Sequence, residues 1–262
     1  MHIVLNGARI HYERAGSGMP VIMLHAGVAD QRMWEPQVSA FAEKFEVIRP
    51  DRRGFGLSDL PAEPWSPVDD LLALMDHLSL KPAHLVGCSV GAMLAIDFAL
   101  DHPERVSKLV LVGPGISGGN FGQKHPELWA DVKAADDARD LPAINQAEMK
   151  LWLAGPRRSI DQMAPELRRL FLDMNGTSLK NDFDSAPEKD IEPPAIDRLG
   201  EISAPALVVV GDEDAAPIFD ATDVLMRKVK GARKAVIHDA AHLPNLEHPE
   251  EFIRIVLDFL LS

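Results

Sequence analysis

Apolar residues fall along this chain in two alternating rhythms. Short, nearly continuous apolar runs occupy Pro20 to His25, Val47–Ile48, Ala83–Gly87, Lys108–Val112 and Pro205–Gly211. Runs of this length fit strands buried on both faces of a parallel sheet. Between them, apolar side chains recur every three or four positions, as at Trp34, Val38, Phe41 and Phe45. The same spacing predicts helices over 68–80, 92–100, 219–229 and 249–261. Asp69 and Asp70 sit in the first turn of one of them, where the helix dipole favours acids. A last strand is expected at 233–237. Near the start, Val4–Leu5 and Ile10–Tyr12 flank Asn6-Gly7, a hairpin signal. Strand and helix in alternation mean an α/β fold with a doubly wound, mostly parallel sheet.

The rhythm breaks over residues 118–195. That stretch shows no strand-like run. It carries helical patterns around Trp129, Met149, Leu151, Trp152, Leu167, Leu170 and Phe171, interrupted by prolines such as Pro126, Pro142, Pro156 and Pro165. It reads as a helical cap inserted into a core made of 1–117 and 196–262.

Composition narrows the function classes. The 262 residues hold 27 basic and 40 acidic side chains, a net charge of −13. So acidic a surface repels phosphate backbones, which argues against nucleic-acid binding. The single cysteine excludes a disulfide framework and a cysteine-based zinc site. No basic segment followed by a long apolar stretch opens the chain, and no run approaches 18 apolar residues, so a cytoplasmic protein with no membrane partner is expected.

Candidate chemistry lies in Gly87-Cys88-Ser89-Val90-Gly91, a G-x-S-x-G pattern. Chance supplies that pattern in about one chain in ten of this size. Its setting adds weight, because an apolar strand ends there and an Ala/Leu-rich helix begins. A turn that tight needs small neighbours, exposes the Ser89 hydroxyl at the sheet edge, and leaves helix-start N–H groups for an oxyanion. A serine hydroxyl also needs a base and an orienting acid. Gly211-Asp212-Glu213-Asp214 follows one downstream strand and Asp239-Ala240-Ala241-His242 the next. The alternative acid loop, Gly113-Pro114-Gly115, has no carboxylate, so the acid must come from 212–214.

These pieces resemble the α/β-hydrolase superfamily over essentially the whole chain. Leu24-His25-Ala26-Gly27, Asp51-Arg52-Arg53-Gly54-Phe55-Gly56-Leu57-Ser58, the serine turn, the Gly-x-x-Asp ending at Asp214 and Ala-x-His-x-Pro around His242 carry the likeness. It implies Ser89 as nucleophile, Asp214 as acid, His242 as base, and the backbone N–H groups of Gly27 and Val90 as oxyanion donors. Arg32 to Gln37 is similar to a stretch of carboxylesterases and enol-lactonases. Ala26 and Ala92 stand where the family usually has Gly. Leu243 stands where hydrolases that open ring-cleavage products by breaking a C–C bond usually carry Trp.

Plainer roles compete at several positions. Ser89 could be a helix cap, Cys88 reads as packing, and Asp212 and Glu213 rival Asp214. His238 and His248 compete weakly with His242. His25 is a pocket candidate, but more often such a ring braces the oxyanion turn. Trp129 and Trp152 are further pocket candidates, although cap aromatics are more often core. Asp51 reads as a carboxylate that ties down loop amides. Arg157-Arg158 and Arg168-Arg169 read as solvated surface. Gly113 to Gly118 matches G-x-G-x-x-G without a helix to follow, so a dinucleotide cradle is not expected. The expectation is a serine hydrolase of a small or medium carboxylic ester or lactone, with no metal or organic cofactor. The same three residues could also serve a perhydrolase or haloperoxidase, or a C–C bond hydrolase. A binding protein of the same fold that turns its ligand over little or not at all is the remaining alternative. Oligomeric state is not readable.

Overall fold

A computed structural model describes residues 1–60, 62–182, 186–189 and 191–262. The strands are β1 (His2–Leu5), β2 (Ala8–Gly16), β3 (Met19–Leu24), β4 (Phe45–Pro50), β5 (Ala83–Cys88), β6 (Val106–Val112), β7 (Ala206–Gly211) and β8 (Arg233–Ile237). They form one sheet in the order β1-β2-β4-β3-β5-β6-β7-β8. The β1–β2 hairpin turns at Asn6-Gly7 with both residues at positive φ. Strand β2 joins β4 antiparallel, and the pairs from β4 through β8 are parallel.

The apolar runs lie where a doubly covered sheet requires them. Ile22, Leu24, Leu85, Leu109, Leu111, Val208 and Val210 point into one apolar layer. Val21, Met23, Val86, Val110, Val112, Leu207 and Val209 point into the other. Alternate residues of each strand thus feed opposite cores, which is why these strands read as unbroken apolar runs. Helices α1 (Glu35–Ala42), α2 (Pro67–His77) and α3 (Val90–Asp101) follow the early strands. Ser66 caps α2, its Oγ accepting the Asp69 N–H at 3.1 Å.

Residues 118–195 hold α4 (Ala130–Asp137), α5 (Leu141–Glu148), a π-helical turn at Met149–Ala154, α6 (Pro165–Asp182) and the start of α7 (Ala195–Arg198). No strand occurs among the described residues of this stretch, and 183–185 and 190 lie outside them. Then come α8 (Ala216–Lys228), α9 (Pro244–Glu247) and α10 (Pro249–Leu261). Helices α2, α3 and α8 cover one face of the sheet. Helices α1 and α10 cover the other, where Met149, Leu153, Phe171 and Met174 of the inserted stretch join the same core. Among the described residues no helix is long and apolar enough to cross a membrane.

Candidate active site

Strand β5 ends at Cys88, α3 starts at Val90, and Ser89 joins them at φ 55° and ψ −113°. An L-residue in that region is strained, a cost the surroundings must enforce. The enforcement is close packing. A Cβ on Gly87 would lie 2.2 Å from the Gly91 carbonyl oxygen, and one on Gly91 would lie 2.3 Å from that of Leu24. Only glycine fits at either place. Ser89 itself is half-buried, and its N–H donates to the Val112 oxygen at 2.8 Å. Cys88 is fully buried, and burial, then the Asp214 charge, push its thiol far up. It stays protonated and packs.

Asp214 stands just beyond β7 and His242 just beyond β8. Asp214 Oδ2 meets His242 Nδ1 at 3.0 Å, with each side chain 1% exposed. The other carboxylate oxygen accepts the Ala215 N–H at 2.7 Å. This network puts a proton on Nδ1 and leaves Nε2 as the ring's basic atom. Gly113, the residue after β6, makes room for the pair. A Cβ there would sit 2.9 Å from His242 Nδ1 and 3.3 Å from Asp214 Oδ2. Ser89 hangs on Val112 and the imidazole faces Gly113, so serine and histidine flank one strand end. A hydroxyl on a strained turn beside an imidazole steered by a buried carboxylate can lose its proton to that imidazole and attack a carbonyl.

The rival residues are engaged elsewhere. Asp212 binds His238 Nδ1 at 2.7 Å and the Asp239 N–H at 2.8 Å. Burial works against that carboxylate, yet the His238 and Asp239 bonds hold it below its ordinary range. Glu213 pairs with Arg157 at 2.9 Å. His238 is exposed, and His248 Nε2 lies 3.3 Å from the Asp239 oxygen.

The two expected oxyanion donors lie together. A Cβ on Gly27 would be 3.2 Å from Val90 Cγ2. Ala26, where the family has glycine, is buried, and its N–H points to Met33 Sδ at 3.3 Å. His25 is not a pocket residue. It is fully buried, its Nδ1 meets the Ala26 oxygen at 2.8 Å, and its Nε2 accepts the Arg52 N–H at 3.0 Å. With both ring atoms engaged it braces the turn, which is the plainer of its two expected roles. Burial, then the Arg52 charge, lower its pKa. Asp51 gathers the Gln31 and Leu57 N–H groups at 2.8 and 3.0 Å, as a loop-tying carboxylate should.

Trp152 packs its ring on His242 with centroids 4.3 Å apart, and Trp129 meets Trp152 edge-on at 5.5 Å. Beside Gly27 opens a cavity of about 380 Å³, bounded by Arg53, Phe55, Trp65, Glu148 and Asn175. The sequence reading missed these wall residues. Trp65 lies outside any periodic segment. Asn175 is 1% exposed and donates to Glu148 Oε2 at 2.6 Å, giving the cavity a polar wall. Arg158 also departs from expectation. Its side chain is 13% exposed and ion-paired with Glu247 at 2.7 Å, so it is not solvated surface.

Comparison with known proteins agrees with this fold. A family model described as alpha/beta hydrolase family matches residues 21–255. A 2-hydroxy-6-oxo-6-phenylhexa-2,4-dienoate hydrolase of Burkholderia cepacia is 32% identical over 274 residues, spanning 98% of this chain and 93% of that protein. The enol-lactonase of Burkholderia xenovorans LB400 superposes with a TM-score of 0.83 at 25% identity, covering 100% of both chains. Est816, an N-acyl homoserine lactone degrading enzyme, gives 0.80 at 28% identity, covering 99% of this chain and 100% of that one.

Proposed function

The chain belongs to the α/β-hydrolase family, and from that premise we propose that this hydrolase cleaves a small or medium carboxylic ester or lactone through an acyl-enzyme on Ser89. The observation that carries the reading is the strained Ser89 turn set beside the buried Asp214–His242 pair. His242 Nε2 takes the Ser89 proton as the oxygen attacks the carbonyl. The Gly27 and Val90 N–H groups hold the oxyanion, each worth on the order of 3 kcal/mol. His242 then protonates the leaving alkoxide and activates the water that releases the acid. Asp214 keeps the proton on Nδ1 throughout. Residues 118–195 act as the cap, with Trp152 and Trp129 as its aromatic roof and the cavity beside Gly27 receiving the substrate. The likeness to an enol-lactonase and to a homoserine lactone degrading enzyme supports the ester or lactone class.

The test is Ser89→Ala, which should abolish p-nitrophenyl ester turnover and labelling by a fluorophosphonate probe. Esterase activity near the wild-type level in that variant overturns the assignment.

A second reading rests on the dienoate hydrolase relative. A 6-oxo-6-phenyl dienoate contains no ester, so its hydrolysis breaks a C–C bond. Against carrying that activity over stands Leu243, buried and apolar beside His242, where such hydrolases usually carry Trp. Comparing kcat/KM on an ester panel and on a vinylogous diketone separates the two, and a higher value on the diketone selects C–C cleavage.

A further inference from the structure

The turn that follows the π-helical segment wedges between the two loops carrying Asp214 and His242. Gly155 passes through at φ +79°, where a Cβ would lie 2.2 Å from the Glu213 oxygen and 3.1 Å from Ala241 Cβ. The Trp152 oxygen accepts the N–H of His242 itself at 3.2 Å. Two arginines leave this turn in different surroundings. Arg157 reaches Glu213 with 54% of its side chain exposed, and exposed pairs contribute little. Arg158 is mostly buried. It donates to the Ala154 and Leu153 oxygens at 2.7 and 3.2 Å, to the Asp239 oxygen, and to Glu247 Oε2 at 2.7 Å. Glu247 is 5% exposed at its side chain, and its other oxygen accepts the Ala241 N–H at 2.7 Å.

We propose that Arg158, acting through Glu247, is a positioning residue that latches the inserted helices onto the loop of His242 and fixes where the imidazole sits. The pair holds that loop at Asp239 and at Ala241, the residue immediately before the histidine, while Trp152 holds the histidine's own N–H. Buried and charge-assisted, such a pair is strongly felt when one partner is removed, because the other charge is left alone. Displacing a reacting group by about 1 Å can cost about a hundredfold in rate. The role in turnover rests on the reading of His242 as the base.

The experiment compares Arg158→Met, Arg158→Lys, Glu247→Gln and Arg157→Ala. On a p-nitrophenyl ester, R158M should lower kcat at least about tenfold with KM changed less than about threefold. R158K should recover part of the loss, and R157A should stay within about twofold. The His242 Cε1–H resonance, assigned by its loss in His242→Gln, should shift in R158M whether or not the protein turns over esters. If R158M does not fold, E247Q serves, since its oxygen still accepts the Ala241 N–H while its NH2 can no longer accept from Arg158. It should show the same kcat loss in smaller degree and the same resonance shift. An R158M protein of lower melting temperature with wild-type kcat and an unmoved His242 resonance overturns the positioning role. A wild type that fails to label at Ser89 overturns only the hydrolase reading, because the resonance still reports on the latch.

Discussion

Three adjacent acids near β7 show how single residues divide their work. Asp212, Glu213 and Asp214 are too close in sequence for spacing alone to separate them. The structure separates them by direction, sending Asp212 to His238, Glu213 to Arg157 and Asp214 to His242. Asp214→Asn should therefore lower kcat by about a thousandfold or more, through the wrong imidazole tautomer, while Asp212→Asn and Glu213→Gln stay within about threefold. Equal losses for Asp212 and Asp214 would contradict that division. The sequence placed Gly113 in a loop without a carboxylate and in a false dinucleotide pattern, and hid its role, which depends on a histidine about 130 residues away. Gly113→Ala combines φ +47° with a Cβ 2.9 Å from His242 Nδ1, so kcat should fall about tenfold or more while stability drops by only about 1–2 kcal/mol. Steady-state kinetics beside urea melts read the two effects separately.

At the scale of elements, the inner strands β3 to β7 were legible because they are covered on both faces, which turns a period-two code into a continuous apolar run. The serine turn was legible because its glycines are required by backbone contact. Gly91 lets α3 cross β3 so closely that no side chain fits between them. Gly91→Ala should therefore cost about 2–4 kcal/mol by urea denaturation, well above the cost of an ordinary glycine-to-alanine change in a helix. A change below about 0.5 kcal/mol would mean that the helix can move outward freely. What could not be read is how the helices of 118–195 sit on the core. They are fastened by long-range contacts that leave no periodic trace. Arg32 bridges Asp30 and Asp173, the Asn181 amide donates to the Gly54 oxygen at 2.7 Å, and Arg158 holds Glu247. Helical spacing predicts which side of α6 is apolar, but not which loop it faces.

For the molecule as a whole, buried histidines set how stability follows pH. His84 lies within β5, and burial, then the nearby Lys108 charge, lower its pKa from 6.5 to about 4. His25 shifts the same way. Between pH 6.5 and 4 the unfolded chain binds a proton at His84 that the folded chain refuses. The His84 contribution is thus complete above pH 6.5 and is lost as pH falls through that window. His238 acts in the opposite sense, since the Asp212 bond raises its pKa, but its side chain is 80% exposed and solvent screens the effect. The net charge of −13 also opposes, because acid relieves its repulsion, but the ordinary carboxylate range lies near pH 4, below the window of histidine. The unfolding midpoint in urea should therefore fall between pH 7 and pH 5. The His84 share is on the order of 1 kcal/mol after discounting for partial solvent screening. His84→Leu tests that share directly. Its ring Nδ1 is buried with no hydrogen-bond partner among the described residues, so an apolar side chain of similar size fits the site. The variant should be at least as stable as wild type at pH 5 and should lose part of the slope. An unchanged slope would place the pH sensitivity elsewhere, with His25 next to be replaced.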